Sequence, residues 1–476
     1  MKKIFGCVFF LACETCVEYL ETNPAWERQL DQIDGLEIKR DDMVVNSYDV
    51  DLSQRFGKRQ PPQMVCFPKT TQHVSEMLKV CNRYNLAVVT VGGGSSLEGN
   101  AASYDPFSRP IIVLSTERMN KIYEINKDDM DAIVEPGVGY QYLNEILEPD
   151  GLQVGCDPGP GATIGGMIAT NASGPSALQY GSMRENIISL EAVLPNGDII
   201  KTGARAPKTS AGYDLTRLLI GSEGTLAIIT KATIKLRIID TKSKTYVAQF
   251  ETIKEAITFV SNARKQGDTL FKAELLDGEA MAAMRSEMGS EYLRVTTENK
   301  PTVIVKGEME NLDNVEIVPS MYESQVWTAR KNIYMIMIQK KECQHLTQRI
   351  ATDTCVPVSN LDKLVSKMQE KVDRAKEETE LCASIVGHAG DGNLHMLILI
   401  GNDETGNKVG KDISHYVVEQ SLRLKGTSTG EHGIGIGKVQ YVEKEFGKTT
   451  VKLMQKIKKT FDPNQILNPG KKIKHD

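Results

Sequence analysis

The sequence predicts an α+β chain: short apolar strand-like runs alternate with helical runs, and glycine clusters follow several of the strands. At 476 residues, 40% hydrophobic and 25% charged, it is long enough for two or three domains with cores of ordinary size. Disorder, collagen and a small disulfide scaffold are excluded.

The elements follow in order. Residues 4–13, behind Met1-Lys2-Lys3, read as a weak signal sequence or a first buried helix, too short to span a bilayer. After a polar segment near 25–60 come a strand at 65–69, a helix at 72–84 and a strand at 86–91 that runs into Gly92-Gly93-Gly94-Ser95-Ser96. Strands are expected at 111–114, 132–134, 189–194, 198–201 and 226–236, with helices at 140–147 and 216–219. From about residue 240 the pattern restarts: strand 243–250, helix 253–265, strand 271–276. Lysine-rich helices at 361–381 and 409–425 flank a strand pair around His388 and His395, and a last helix precedes Phe461-Asp462-Pro463.

The formal charge of -5 and pI near 5.9 give no overall basic surplus, which argues against a nucleic-acid partner. No later stretch reaches the apolar length of a membrane span, so integral insertion is not expected, while peripheral membrane association stays open. The nine cysteines are scattered, which fits a reducing compartment better than a disulfide framework. Cys13 and Cys16 form a C-x-x-C with no second pair at zinc-site spacing.

Three glycine-rich loops carry the first functional signal. Residues 92–99 offer backbone N–H groups with few side chains in the way, suited to pyrophosphate oxygens, with an ordinary tight turn as the alternative. The loop is neither a G-x-G-x-x-G fingerprint nor a Walker loop. Asp157-Pro158-Gly159-Pro160-Gly161-Ala162-Thr163-Ile164-Gly165-Gly166 and the small residues up to Gly174 suit a flat, extended ligand or a glycine-rich packing corner. The third is Gly221-Ser222-Glu223-Gly224-Thr225-Leu226.

Together with Val193-Leu194-Pro195-Asn196-Gly197 and Gly212-Tyr213-Asp214-Leu215-Thr216-Arg217-Leu218, these loops resemble the flavin-binding domain of the vanillyl-alcohol oxidase and p-cresol methylhydroxylase superfamily, toward its D-lactate and glycolate oxidising branch. The resemblance implies that Gly92, Gly93, Gly94, Ser95, Ser96, Pro158, Gly159, Ala162, Thr163, Gly165, Gly166, Ala169, Asn171 and Gly174 wrap the pyrophosphate and isoalloxazine of FAD. It places Glu223, Gly224, Ile228 and Ile229 near the adenosine end. His73 is the only histidine before residue 345 and falls in a helix, so non-covalent FAD is expected.

A second signal lies in Gly387-His388-Ala389-Gly390-Asp391-Gly392-Asn393-Leu394-His395 and Gly430-Glu431-His432-Gly433-Ile434-Gly435. Two histidines bracketing a strand turn can offer two imidazoles to one divalent ion, and Glu431 adds a carboxylate, a donor set that suits zinc or manganese. His432 is then the candidate general base, with Gly430, Gly433 and Gly435 permitting the irregular backbone that lets neighbouring side chains share a site. The alternative is a glycine-rich turn whose histidine bonds backbone.

These motifs resemble the C-terminal signature of FAD-linked D-2-hydroxy acid dehydrogenases, which implies His388, His395 and Glu431 as metal ligands and His432 as proton acceptor. Trp327-Thr328-Ala329-Arg330-Lys331 matches a segment in which Arg330 binds the substrate carboxylate, and Asn468, in the closing Phe461–Lys471 motif, approaches the active centre. Where D-2-hydroxyglutarate enzymes carry a lysine this chain has Ala351, and Arg349 is the nearest substitute.

The implied architecture is a two-subdomain FAD-binding domain at 58–238 behind an N-terminal segment at 1–57, an α+β substrate domain at 239–425 and a closing helical segment at 426–476. The implied reaction is oxidation of D-lactate to pyruvate, with D-2-hydroxyglutarate as alternative substrate and a metallohydrolase or a non-enzymatic flavoprotein module as rival classes. Electrons would pass to an external acceptor such as cytochrome c, a quinone or an electron-transfer flavoprotein, since no haem or iron–sulfur motif is present. Mitochondrion and cytosol, and monomer and homodimer, remain open alternatives.

Overall fold

The computed structural model describes residues 24–48, 60–266, 269–288, 299–310 and 315–474. The apolar start and the Cys13–Cys16 pair lie outside them.

Among the described residues, three sheets carry the fold. The first contains β1 (Glu37–Lys39), β2 (Met64–Phe67), β3 (Ala87–Val91) and β4 (Ile111–Ser115) in the order β1-β2-β4-β3. Strands β2, β4 and β3 run parallel and are almost wholly buried, hence their unbroken apolar runs. The helix Thr71–Arg83 forms because Val74, Met77, Leu78 and Cys81 line one face, and the Thr70 side chain caps it by accepting from His73 N at 3.1 Å. The polar stretch before residue 60, in which no element is predicted, holds helices Ala25–Asp31 and Asp42–Ser47 as well as β1. Their short apolar faces acquire meaning only against the sheet.

The second sheet contains β5 (Ile122–Asn126), β6 (Asp131–Val134), β7 (Leu152–Val154), β8 (Ile187–Val193), β9 (Ile199–Lys201) and β10 (Ile228–Ile238). Its order is β5-β6-β10-β8-β9, with β7 pairing the end of β10, all antiparallel. Strand β10 is its centre, and helices Tyr140–Leu147 and Ile164–Thr170 pack into its core cluster.

The third sheet contains β11 (Lys244–Gln249), β12 (Thr269–Leu276), β13 (Thr302–Glu308), β14 (Glu316–Ile317), β15 (Gln348–Ala351), β16 (Thr354–Cys355), β17 (Leu381–His388) and β18 (Asn393–Ile400). The order is β14-β11-β13-β12-β17-β18-β15, with β16 also on β18. Helices Ile253–Gln266, Leu361–Glu378 and Glu404–Arg423 cover one face, and Ser320–Lys331 and Ile333–Gln339 pack in a second cluster. The long helix starts before the predicted 409, because the Asp403 side chain accepts from Gly406 N at 2.7 Å and sets the cap there.

The closing segment returns to the first sheet, where Val88 N donates to Ile466 O at 2.7 Å and Asn468 N to Val88 O at 2.8 Å. Buried Lys458 holds that return by donating to Thr225 O, Leu467 O and Asp462. One expectation is corrected: Cys343 and Cys382 form a disulfide across a separation of 39 residues. Such a pair is invisible to spacing, because it depends on which turn the third sheet sets beside β17.

Candidate active site

The glycine loops do converge. One cavity is lined by Gly92, Gly93, Gly94, Ser95 and Ser96, by Pro158, Gly159, Ala162, Thr163, Gly165, Gly166 and Ala169, and by Glu223, Gly224, Ile228, Ile229 and Asn468. Thr90 and Thr170 line it too, as do Asn100, Thr116 and Pro136, which no motif named. The loops need glycine to approach each other: a Cβ on Gly93 would meet Gly161 O at 2.2 Å, and one on Gly165 would meet Pro136 Cβ at 2.4 Å.

Asn171 and Gly174 are not brought to the cavity wall. Asn171 terminates the helix Ile164–Thr170 in the left-handed conformation and accepts from Ser182 Oγ and Arg184 N, while a Cβ on Gly174 would meet Asp157 O at 2.6 Å. The Glu223 carboxylate is taken up internally by Asn100 Nδ2, Ile434 N, Gly435 N and Lys472 Nζ, so it ties the loop of His432 to the cavity. His73 lies against Gly35, away from the loops.

Four buried side-chain atoms of this cavity, Thr90 Oγ1, Ser96 Oγ, Asn100 Oδ1 and Thr163 Oγ1, have no hydrogen-bond partner. Unsatisfied buried polar atoms are costly, and a ligand rich in oxygen and nitrogen would satisfy them. The cavity therefore fits a dinucleotide in both its backbone lining and its orphan groups.

At the same cavity stand Glu431 and His432. Strands β17 and β18 pair antiparallel and bring His388 and His395 within 5.6 Å, ring centre to ring centre. Glu431 Oε1 lies 3.3 Å from His388 Nε2 and 3.3 Å from His395 Nε2, and Ser173 Oγ donates to its other oxygen at 2.5 Å. The three donor atoms lie within 4.8 Å of one another, close enough to share an ion. Asp353, His395 and His432 form a second such group. Its carboxylate is already occupied, because Asp353 Oδ2 accepts from Gly430 N, Glu431 N and His432 N at 2.7, 2.9 and 2.9 Å.

Each proposed imidazole ligand has its other nitrogen engaged. His388 Nδ1 meets the buried Glu274 carboxylate at 2.7 Å, and His395 Nδ1 faces Thr352 O at 3.3 Å. That arrangement aims both Nε2 atoms at Glu431, as metal-binding histidines require. Burial alone would raise the Glu274 pKa, but His388 and Arg330 outweigh it, so the carboxylate stays ionised.

His432 stacks on His395 at 5.0 Å, and its Nδ1 is buried without a partner. Burial lowers its pKa to about 4 against the opposing pull of Asp353, which leaves the ring neutral near neutral pH. The irregular backbone is present: Gly433 and Gly435 have φ of 79° and 50°.

Arg330 is buried in the helix Ser320–Lys331; its Nη2 lies 2.6 Å from Glu274 Oε2 as an ion pair without hydrogen-bond alignment, and Nε has no hydrogen-bond partner. One carboxylate thus joins the candidate substrate arginine to a candidate ligand histidine. Glu274, Asp353 and Ser173 were not singled out from the sequence. The signal was there for Glu274, an acid inside the otherwise apolar end of a strand. Arg349 does not reach this site; it lines a separate cavity beside β15.

The glycine cradle shares its cavity with Glu431 and His432, and His388 and His395 stand 3.3 Å from Glu431. Comparisons with known proteins identify the two domains. Residues 62–203 match the FAD binding domain model, and residues 239–472 match the model of the FAD linked oxidases, C-terminal domain. The chain is 38% identical to the mitochondrial D-lactate dehydrogenase [cytochrome] of Arabidopsis thaliana, over 87% of this chain and 73% of the relative. This chain belongs to the FAD-linked oxidase family. Further members include D-lactate dehydrogenase [cytochrome] 1, mitochondrial, of Saccharomyces cerevisiae at 38% identity, over 88% of this chain and 73% of the relative. Another is a glycolate oxidase subunit of Bacillus subtilis at 33% identity, over 87% and 90%. Among solved structures, an alkyldihydroxyacetonephosphate synthase superposes with a TM-score of 0.72 at 20% identity, covering 94% of this chain and 86% of the other. The p-cresol methylhydroxylase structure with substrate bound gives 0.70 at 15% identity, covering 91% and 93%. These two establish the shared fold of this FAD-linked oxidase.

Proposed function

We propose that the chain oxidises D-lactate to pyruvate. The observation that carries this reading is the position of Glu431 and His432 on the wall of the glycine-loop cavity, with His388 and His395 directly behind them. The glycine loops at 92–96 and 158–166 would hold non-covalent FAD, which would supply a two-electron acceptor for the substrate's α-hydrogen. His388, His395 and Glu431 would hold a zinc or manganese ion, whose chemistry there would be Lewis-acid polarisation of the substrate hydroxyl.

The remaining work falls to the chain. Arg330 offers a fixed fork to the substrate carboxylate, and Glu274 holds that fork while also orienting His388. His432 takes the hydroxyl proton, an assignment supported by its neutral ring and free Nδ1. Asp353 fixes the 430–432 backbone through three N–H donors, so the base is held before substrate arrives. Ala351 is buried among Val386 and Leu397, which favours a monocarboxylate over D-2-hydroxyglutarate. The names of the Arabidopsis and yeast relatives support a cytochrome as acceptor, ahead of a quinone or an electron-transfer flavoprotein, and a mitochondrial setting. No helix of the described residues is long and apolar enough to cross a membrane.

The test is anaerobic flavin reduction. D-lactate should bleach the visible flavin absorbance of the metal-replete protein, whereas L-lactate should not, and D-2-hydroxyglutarate should act slowly. A His432→Gln variant should keep its FAD and metal but reduce its flavin about 10²- to 10⁴-fold more slowly, the usual range for a lost general base. An undiminished rate would remove His432 from the mechanism.

A further inference from the structure

A second cavity, of about 610 Å³, lies where edge strand β15, the helix Glu404–Arg423 and residues 436–441 meet. Its lining is unlike that of the flavin cavity: side-chain amides, hydroxyls and cations predominate, with Glu98 as its one carboxylate. Two of the cations, Arg349 and Lys411, are exposed at its walls, and neither has an acidic partner among the described residues. The buried floor cation, Lys438, is answered by Glu98 at 3.4 Å and Asp353 at 3.9 Å. The cavity therefore carries an uncompensated positive charge from Arg349 and Lys411.

A second observation points the same way. Gln348 Nε2 is committed to Asn407 Oδ1 at 2.9 Å, which fixes the amide, while its Oε1 is buried with no donor. An acceptor left unmatched beside two free cations calls for a ligand that carries both negative oxygens and a hydroxyl or protonated group.

We propose that this cavity binds a small hydroxylated or partly protonated oxyanion, a carboxylate or a phosphate, held by Arg349 and Lys411, with Gln348 accepting its O–H. The volume lies within the ordinary range for small-molecule sites, roughly 300–1,000 Å³. The site would report to the reaction centre through its floor. Lys438 Nζ donates to Asp353 O at 2.8 Å, and the Asp353 carboxylate grips the backbone of Glu431 and His432. A bound oxyanion that draws Lys438 toward itself loosens that grip, so occupancy slows flavin reduction.

The experiment titrates the FAD- and metal-loaded protein calorimetrically with inorganic phosphate and, separately, with 3-hydroxybutyrate, a hydroxy acid without the 2-hydroxyl of the proposed substrate, at constant ionic strength. Each is repeated on Arg349→Gln, Lys411→Gln and the double variant, all with FAD content checked. Saturable binding by the parent protein, weakened about tenfold by each single substitution, is expected from the loss of one charge-assisted hydrogen bond. Tighter binding of phosphate than 3-hydroxybutyrate identifies a phosphate ligand, and the reverse order a carboxylate. Flavin reduction by D-lactate should be slowed by the tighter anion in the parent and much less in the double variant. The proposal falls if neither anion binds, if the double variant binds both as tightly as the parent, or if inhibition is equal in the two proteins. It also falls if the double variant raises KM for D-lactate with no anion added, since the cavity would then belong to the substrate's own route.

Discussion

Glu274 is the residue on which the two halves of the proposed substrate site depend, because its one carboxylate meets His388 Nδ1 at 2.7 Å and Arg330 Nη2 at 2.6 Å. Glu274→Gln keeps the shape but removes the charge that orients the imidazole. Metal affinity should fall about 10- to 100-fold, the usual effect of losing a partner behind a ligand. KM for D-lactate should rise as well, because Arg330 loses its anchor. Metal titration of the FAD-loaded protein reads the first effect without reference to turnover, and unchanged affinity would refute the link. Motifs made the histidines and Glu431 legible because these residues share short segments with glycines. Glu274 and Asp353 stand 114 and 79 residues from the groups they serve, so no local pattern exposes them.

Among the elements, β17 carries Cys382 near its start and His388 at its end, and the disulfide ties it to the short turn Lys341–Cys343 that follows the Arg330 helices. Closing a loop of this length restricts the unfolded chain and should stabilise the fold by about 2–4 kcal/mol. A Cys343→Ser, Cys382→Ser protein should melt at a lower temperature than the parent, and the gap should vanish when the parent is reduced. Helix and strand periodicity exposed many elements within a few residues, including Tyr140–Leu147 and the pair bracketing Gly390, but not β5, β13, β15 or the helices Ile164–Thr170, Ser320–Lys331 and Ile333–Gln339. The short N-terminal elements escaped, since a three-residue strand such as β1 has no period to detect and exists only because β2 pairs with it.

For the whole molecule, Asp157 is a tie between the flavin loops and the third sheet. It accepts from Lys272 on β12 at 2.8 Å and Ser176 N at 2.8 Å, and Lys331 lies 3.3 Å away. Burial alone would raise its pKa, but the two lysines outweigh burial and hold it at about 2, below the ordinary 3.8. A depressed carboxylate stabilises the fold above its unfolded pKa and loses that contribution as pH falls through the folded value. The tie should therefore be intact above pH 4 and weaken toward pH 2, with a full contribution of about 2 kcal/mol. Urea unfolding of the parent and of Asp157→Asn should differ by that amount at pH 6 and converge in acid.

The sequence by itself pointed to the cofactor class and named the candidate chemistry-bearing groups. Glycine loops and a histidine pair are local patterns; the cavity gathers most of the loop residues with Glu431 and His432, and the histidine pair stands against Glu431. Only the tertiary structure decided what surrounds those groups. It turned Glu223 into a brace for the His432 loop, set Asn171 and Gly174 to structural work, paired Cys343 with Cys382, and moved Arg349 to a second cavity. The physical reason is that a ligand's chemistry is set by residue type and near spacing. The partner of a buried charge is set by which strands lie side by side, and that is a property of the folded sheets.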